Sequence, residues 1–149
     1  MVVTADDRRA AHGRLGPGNA VGVDEAMISR IVHAFYVDVR RDPALGPIFE
    51  RALQGQWEEH LAKLCDFWSS VLLMSGRFKG TPMTTHLALP GLRPTHFARW
   101  LHLFARTVTE ICPPAAATLF VAKSEMIGAS LQLGMANAHR RSAAAASAF

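Results

Sequence analysis

The chain has 149 residues, half of them apolar, and a formal net charge of +4. That length suits one domain with a full hydrophobic core. No uninterrupted apolar run approaches the roughly 18 residues that would span a bilayer. The basic residues are scattered, as in Arg40-Arg41, Arg106 and Arg140-Arg141, rather than gathered in a stripe with interleaved aromatics, which argues against nucleic-acid binding.

Residues 1 to 22 are rich in Gly, Ala, Asp and Arg and lack periodicity, and are expected to form a flexible leader. They carry neither a secretory nor a twin-arginine signal, so a cytoplasmic protein without membrane attachment is expected. Asp24 is a good N-cap for a helix from Glu25 to Arg41. Ile28, Ile31, Val32, Phe35, Tyr36 and Val39 recur there at helical spacing and form one apolar face. Tyr36, the only tyrosine, therefore points inward. On periodicity alone, the simplest expectation is that it packs its ring and satisfies its hydroxyl on a backbone carbonyl. Asp42-Pro43 ends the helix, and residues 44–50 read as a turn-rich link presenting Ile48 and Phe49.

After a loop at Gln54-Gly55, a second long helix is predicted from Gln56 to Met74. Trp57, His60, Leu61, Leu64, Phe67, Trp68, Val71 and Leu72 mark its buried stripe. His60 is a titratable side chain on an apolar face, either satisfied internally or placed there for chemistry. Two glycines in Ser75-Gly-Arg-Phe-Lys-Gly80 break the pattern, and Thr81-Pro82 can open a short helix that carries His86 and stops at Pro90-Gly91. So short a helix needs outside contacts to be ordered, and a coordinate bond from His86 would supply one. A third long helix is predicted from Thr95 to Cys112 with Phe97, Trp100, Leu101, Phe104, Val108 and Ile111 on its core face. Pro113-Pro114 separates it from a fourth, Ala115 to Met135, with Ile127, Leu131 and Met135 among its apolar positions. The domain is placed at residues 23–136, and the Ala-rich basic tail, 137–149, either extends the last helix or frays. Cys65 and Cys112 fall inside helices without a CxxC partner and are expected to be reduced packing residues.

The pattern is all-α. Helices packed at steep angles around an apolar pocket can hold a flat macrocycle with one His as axial ligand, and His86 is the candidate. Tyr36 and His60, each an oddity in its own stripe, would then converge on one site. The competing expectation is a haem-free helical regulatory or interaction module in which both histidines are core residues.

Several segments carry a resemblance: Phe35-Tyr36, Asp42-Pro-x-Leu-Gly-Pro-Ile-Phe49, Trp57-x-x-His60, Phe67-Trp68, Gly76-x-Phe-x-Gly80 followed by Pro82, His86-Leu-x-Leu-Pro90, and Phe97-x-x-Trp100-Leu-x-Leu-Phe104. Taken in order, the sequence resembles a group III truncated haemoglobin, a globin-like, two-over-two helical sandwich around a haem. The family often has tyrosine where Phe78 stands, and the glycine-pair motifs of the other truncated groups are absent.

The resemblance implies haem b as cofactor and His86 as the proximal iron ligand. It makes Tyr36, His60 and Trp100 the residues facing a bound O2, NO or CO, with Tyr36 donating to it. It places Phe49 on the porphyrin, and we add Leu64, Phe67, Met83, Leu92 and Phe97 as further walls. Arg77, Lys79 and Arg93 are candidates for the propionates. The expected function is binding of O2 and other diatomic ligands, in a monomer or weak dimer. NO dioxygenase- or peroxidase-like turnover would need an external reductase, since nothing in the chain resembles a NAD or flavin site.

Overall fold

The computed structural model describes residues 16–80 and 92–147, with the side chains of 16–80, 92–138 and 140. Met83 and His86 lie outside the described residues. A 3-10 turn, Asn19–Val21, precedes α1 (Glu25–Arg41), α2 (Gly46–Leu53), α3 (Trp57–Leu73), α4 (Pro94–Ile111) and α5 (Pro114–Ser147). No strand occurs among the described residues. α1 packs on α2, α3 and α4, and α4 lies along α5.

Local chemistry explains the helix ends. The Asp24 carboxylate accepts the Met27 N–H at 2.8 Å, capping α1 as its sequence position predicts. Asp42 turns extended ahead of Pro43 and stops the helix. α3 ends where Met74 enters the left-handed region at φ 54°. Pro94 and Pro114 occupy the first positions of α4 and α5, where a missing N–H costs nothing.

Two sequence-based boundaries change. The link expected over 44–50 holds the start of a helix, α2: Asp42 Oδ2 accepts the N–H groups of Ala44 (3.0 Å) and Leu45 (2.8 Å), and Pro47 is tolerated in the first turn. Residues 16–22, assigned to the leader, pack on the end of α3, where the Gly18 N–H donates to the Leu72 carbonyl at 2.8 Å. α5 runs on to Ser147 through helix-favouring alanines, the first of the two courses the sequence left open for the tail.

Phe104, 1 % exposed, lies at the centre of the core. Its ring meets Phe35 from α1 (5.1 Å), Trp68 from α3 (5.1 Å), Trp100 from its own helix (5.5 Å) and Phe120 from α5 (6.3 Å). Aromatic contacts from four helices thus fix their mutual packing, and the site is built at one end of this stack.

Candidate haem and ligand site

The buried face of α1 delivers Tyr36 into a box of rings. Its centroid lies 5.4 Å from His60, 5.8 Å from Phe49 and 6.0 Å from Trp57. The His60 ring stands edge-on to it, at an interplanar angle of 86°. Arg40 covers Trp57 from outside, its guanidinium 4.6 Å from the ring centre, and pairs with Glu50 at 3.3 Å. Here α1, α2 and the first turn of α3 close around one phenol.

The Tyr36 hydroxyl makes a polar contact with the Trp100 indole of α4. Burial raises the phenol well above its ordinary pKa, and the Trp100 contact offsets this only in part, so Tyr36 keeps its proton.

One narrow apolar recess borders this cluster, walled by Leu45 and Phe49, by Leu92, Phe97 and Trp100, and by Leu131 of α5, with His96 and Gly128 at its margin. A second, open recess lies between Phe67 and Val71 of α3 and Ile127 and Leu131 of α5, with Lys123, Met126 and Ser130 at its edge. Leu131 belongs to both walls.

Of the residues singled out from the sequence, Tyr36, His60, Phe49 and Trp100 are brought together, as are Leu92 and Phe97 on the recess shared with Phe49 and Trp100. Phe67 lines the second recess, and Leu64 packs against the core on α3. Arg77 instead pairs with Glu25 of α1 at 3.5 Å. Lys79 and Arg93 are exposed, the latter at the N-cap of α4. Leu45, Ile127 and Leu131 were missed as walls. The last two had been placed on an apolar helix face, but periodicity cannot tell which part of that face borders a cavity.

The segment leading towards 81–91 is fastened down. The Ser69 hydroxyl donates to Glu25 Oε1 at 2.5 Å and lies 2.6 Å from the Ser75 hydroxyl. The Phe78 N–H donates to Ser70 Oγ at 2.9 Å, and the Phe78 ring meets Phe67 edge-on at 5.3 Å. Elsewhere Cys65 and Cys112 are free thiols, both raised chiefly by burial and so poor nucleophiles.

No family model matches the chain. It is 32% identical over 113 residues to the protein named "Group 3 truncated hemoglobin ctb" of Campylobacter jejuni, covering 74% of this chain and 89% of that protein. The chain belongs to the group III truncated haemoglobins. The crystal structure of a group III truncated haemoglobin from Campylobacter jejuni superimposes with a TM-score of 0.73 at 31% identity, covering 76% of this chain and 91% of that one. The fold is thus the truncated globin fold, as the ordered motifs had implied.

Membership in a globin family implies a haem, and the residues present fit one. A porphyrin needs apolar walls with aromatic contacts, which Phe49, Phe97 and Trp100 on one recess and Phe67 on the other are suited to give, and a protected polar group, which the buried Tyr36 is suited to give. Among the described residues no helix is long and apolar enough to cross a membrane.

Proposed function

We propose that this group III truncated haemoglobin binds O2 and related diatomic ligands in the pocket headed by Tyr36, and holds them rather than releasing them quickly. The haem supplies an iron that binds such ligands, and His86 is its proximal ligand in this reading. Phe49, Leu92, Phe97 and Leu131 would hold one part of the macrocycle, and Phe67 and Ile127 another, burying its apolar surface.

The observation that carries the reading is the buried Tyr36, boxed by Phe49, Trp57 and His60 with the Trp100 indole against its hydroxyl. Burial keeps the phenol protonated, so it acts as a donor and not as a base. In this reading the indole fixes the oxygen in place and, by donating to it, strengthens the bond its proton makes to an acceptor in the pocket. The ring wall of Phe49, Trp57 and His60 limits competing water. A donor aimed at a partly anionic acceptor in an apolar pocket slows its escape.

Slow escape suits redox chemistry on the ligand, with electrons from an external reductase, better than transport. The test is rapid mixing of O2-loaded protein with NO. Fast formation of the ferric spectrum supports turnover of NO, and its absence leaves ligand binding alone. The haem-free module has no observation in its favour, and membership in a globin family weighs against it.

A further inference from the structure

Asp42 appears in the Asp-Pro-x-Leu segment at the corner of α1 and α2, and the ligand site as described makes no use of it. It is 6 % exposed, and its carboxylate is fully engaged. Oδ2 takes the Ala44 and Leu45 N–H groups, and Oδ1 takes Arg99 Nε from α4. Each donor leads to the site. Leu45 walls the smaller recess beside Phe49 and Trp100, and the turn that Asp42 caps opens the helix carrying Phe49. Arg99 immediately precedes Trp100.

Consecutive residues on a helix point about 100° apart. Tethering Arg99 to a fixed carboxylate therefore sets the rotation of α4 about its axis, and with it the direction in which the Trp100 indole leaves the helix. Tyr36 stands on α1, six positions before Asp42. α1 and α4, which meet at Tyr36 and Trp100 and through the Phe35–Trp100 rings at 5.2 Å, are thus joined a second time, and this joint is anchored at its buried end.

We propose that Asp42 and Arg99 are a positioning pair that holds the Trp100 indole on the Tyr36 hydroxyl and so sets how long a ligand stays. This rests on the reading of the Tyr36 pocket as the ligand site, and the pair acts through Trp100 without touching the ligand. A plain corner staple would give stability alone. Arg99 contributes little of that, because its side chain is 48% exposed and Asp42 keeps both backbone donors when Arg99 is removed.

Because Tyr36 is the only tyrosine, protein made with 13Cζ-labelled tyrosine gives one resonance that reports hydrogen bonding at its hydroxyl. In the CO-bound ferrous protein, Arg99→Met is expected to move this resonance in the same direction as Trp100→Phe and to speed O2 dissociation several-fold. Arg99→Lys is expected to restore part of both. With Trp100→Phe already present, Arg99→Met should move neither. An unmoved resonance in Arg99→Met, or the same change in both backgrounds, overturns the proposal, and Arg99→Gln gives the same comparison should the Met variant fold poorly. The resonance is also read in protein without added haem, so a failure of haem binding overturns the ligand-site reading while the Tyr36 shift still decides the positioning pair.

Discussion

The Trp100 indole of α4 meets the hydroxyl of Tyr36, the only tyrosine in the chain, beside the box of aromatic rings on α1, α2 and α3. In the proposed reading the phenol donates its proton to the bound ligand. Replacing Tyr36 by Phe removes that donor while keeping the ring. A hydrogen bond to a partly charged acceptor is worth about 1.5–3 kcal/mol. Tyr36→Phe should therefore speed O2 dissociation roughly ten- to hundredfold, measured by stopped flow with CO as the replacing ligand. An unchanged rate would mean that the hydroxyl does not face the ligand.

Leu131 contributes to both recesses and is 5 % exposed. Truncating a buried leucine to alanine costs about 2–5 kcal/mol in stability. If the recesses hold the haem, Leu131→Ala should also hasten haem loss to an excess of apomyoglobin. Val108→Ala, a core change at a fully buried position outside the recess walls, should lower stability with a smaller effect on haem loss. Equal rates of haem loss in the two variants would place the haem elsewhere.

Much of this was legible in the sequence, and the parts that were not have identifiable causes. Helical spacing turned Tyr36 and Trp100 inward, and Asp24 marked where α1 begins, because burial and capping are local patterns. The start of α2 was hidden because Gly46 and Pro47 read as turn residues, whereas the carboxylate that organises the turn belongs to Asp42. Arg77 reads from the sequence as a free cation near the haem edge. Only the fold shows that Glu25, fifty-two positions earlier, faces it. The partner of the Tyr36 hydroxyl was likewise beyond local pattern, since Trp100 lies sixty-four positions away on another helix.

Two glycines should respond to alanine with opposite signs. A Cβ on Gly46 would lie 2.6 Å from the Arg40 carbonyl oxygen, a backbone atom, so α2 would have to shift from α1. Overpacking of this kind costs about 1–3 kcal/mol. A Cβ on Gly128 meets only Leu101 side-chain atoms at an ordinary 3.5 Å, within the helix α5. There alanine should stabilise by about 0.5–1 kcal/mol through backbone entropy. Urea unfolding of Gly46→Ala and Gly128→Ala checks both signs.

Burial alone would raise the Asp42 carboxyl, but the Leu45 N–H, the Arg99 guanidinium and the Ala44 N–H hold it below its ordinary value of 3.8. In acid the unfolded chain therefore takes up this proton before the folded one does. The stabilisation from Asp42 is complete above the ordinary carboxylate range and is lost as pH falls through the lower folded value. Asp42→Asn should be less stable than the parent near neutrality, and the gap should close below about pH 4. A gap that stayed constant into acid would show that the charge of Asp42 is not what matters.

The central claim is that this chain holds a haem through His86 with Tyr36 facing the bound ligand. Titrating the protein with haemin, followed by reduction and CO, tests it most directly in the absorption spectrum. The parent should develop a Soret band at one haem per chain that shifts on reduction and again on adding CO, and His86→Ala should take up haem far more weakly. No Soret band in the parent, or full haem affinity in His86→Ala, would contradict the account.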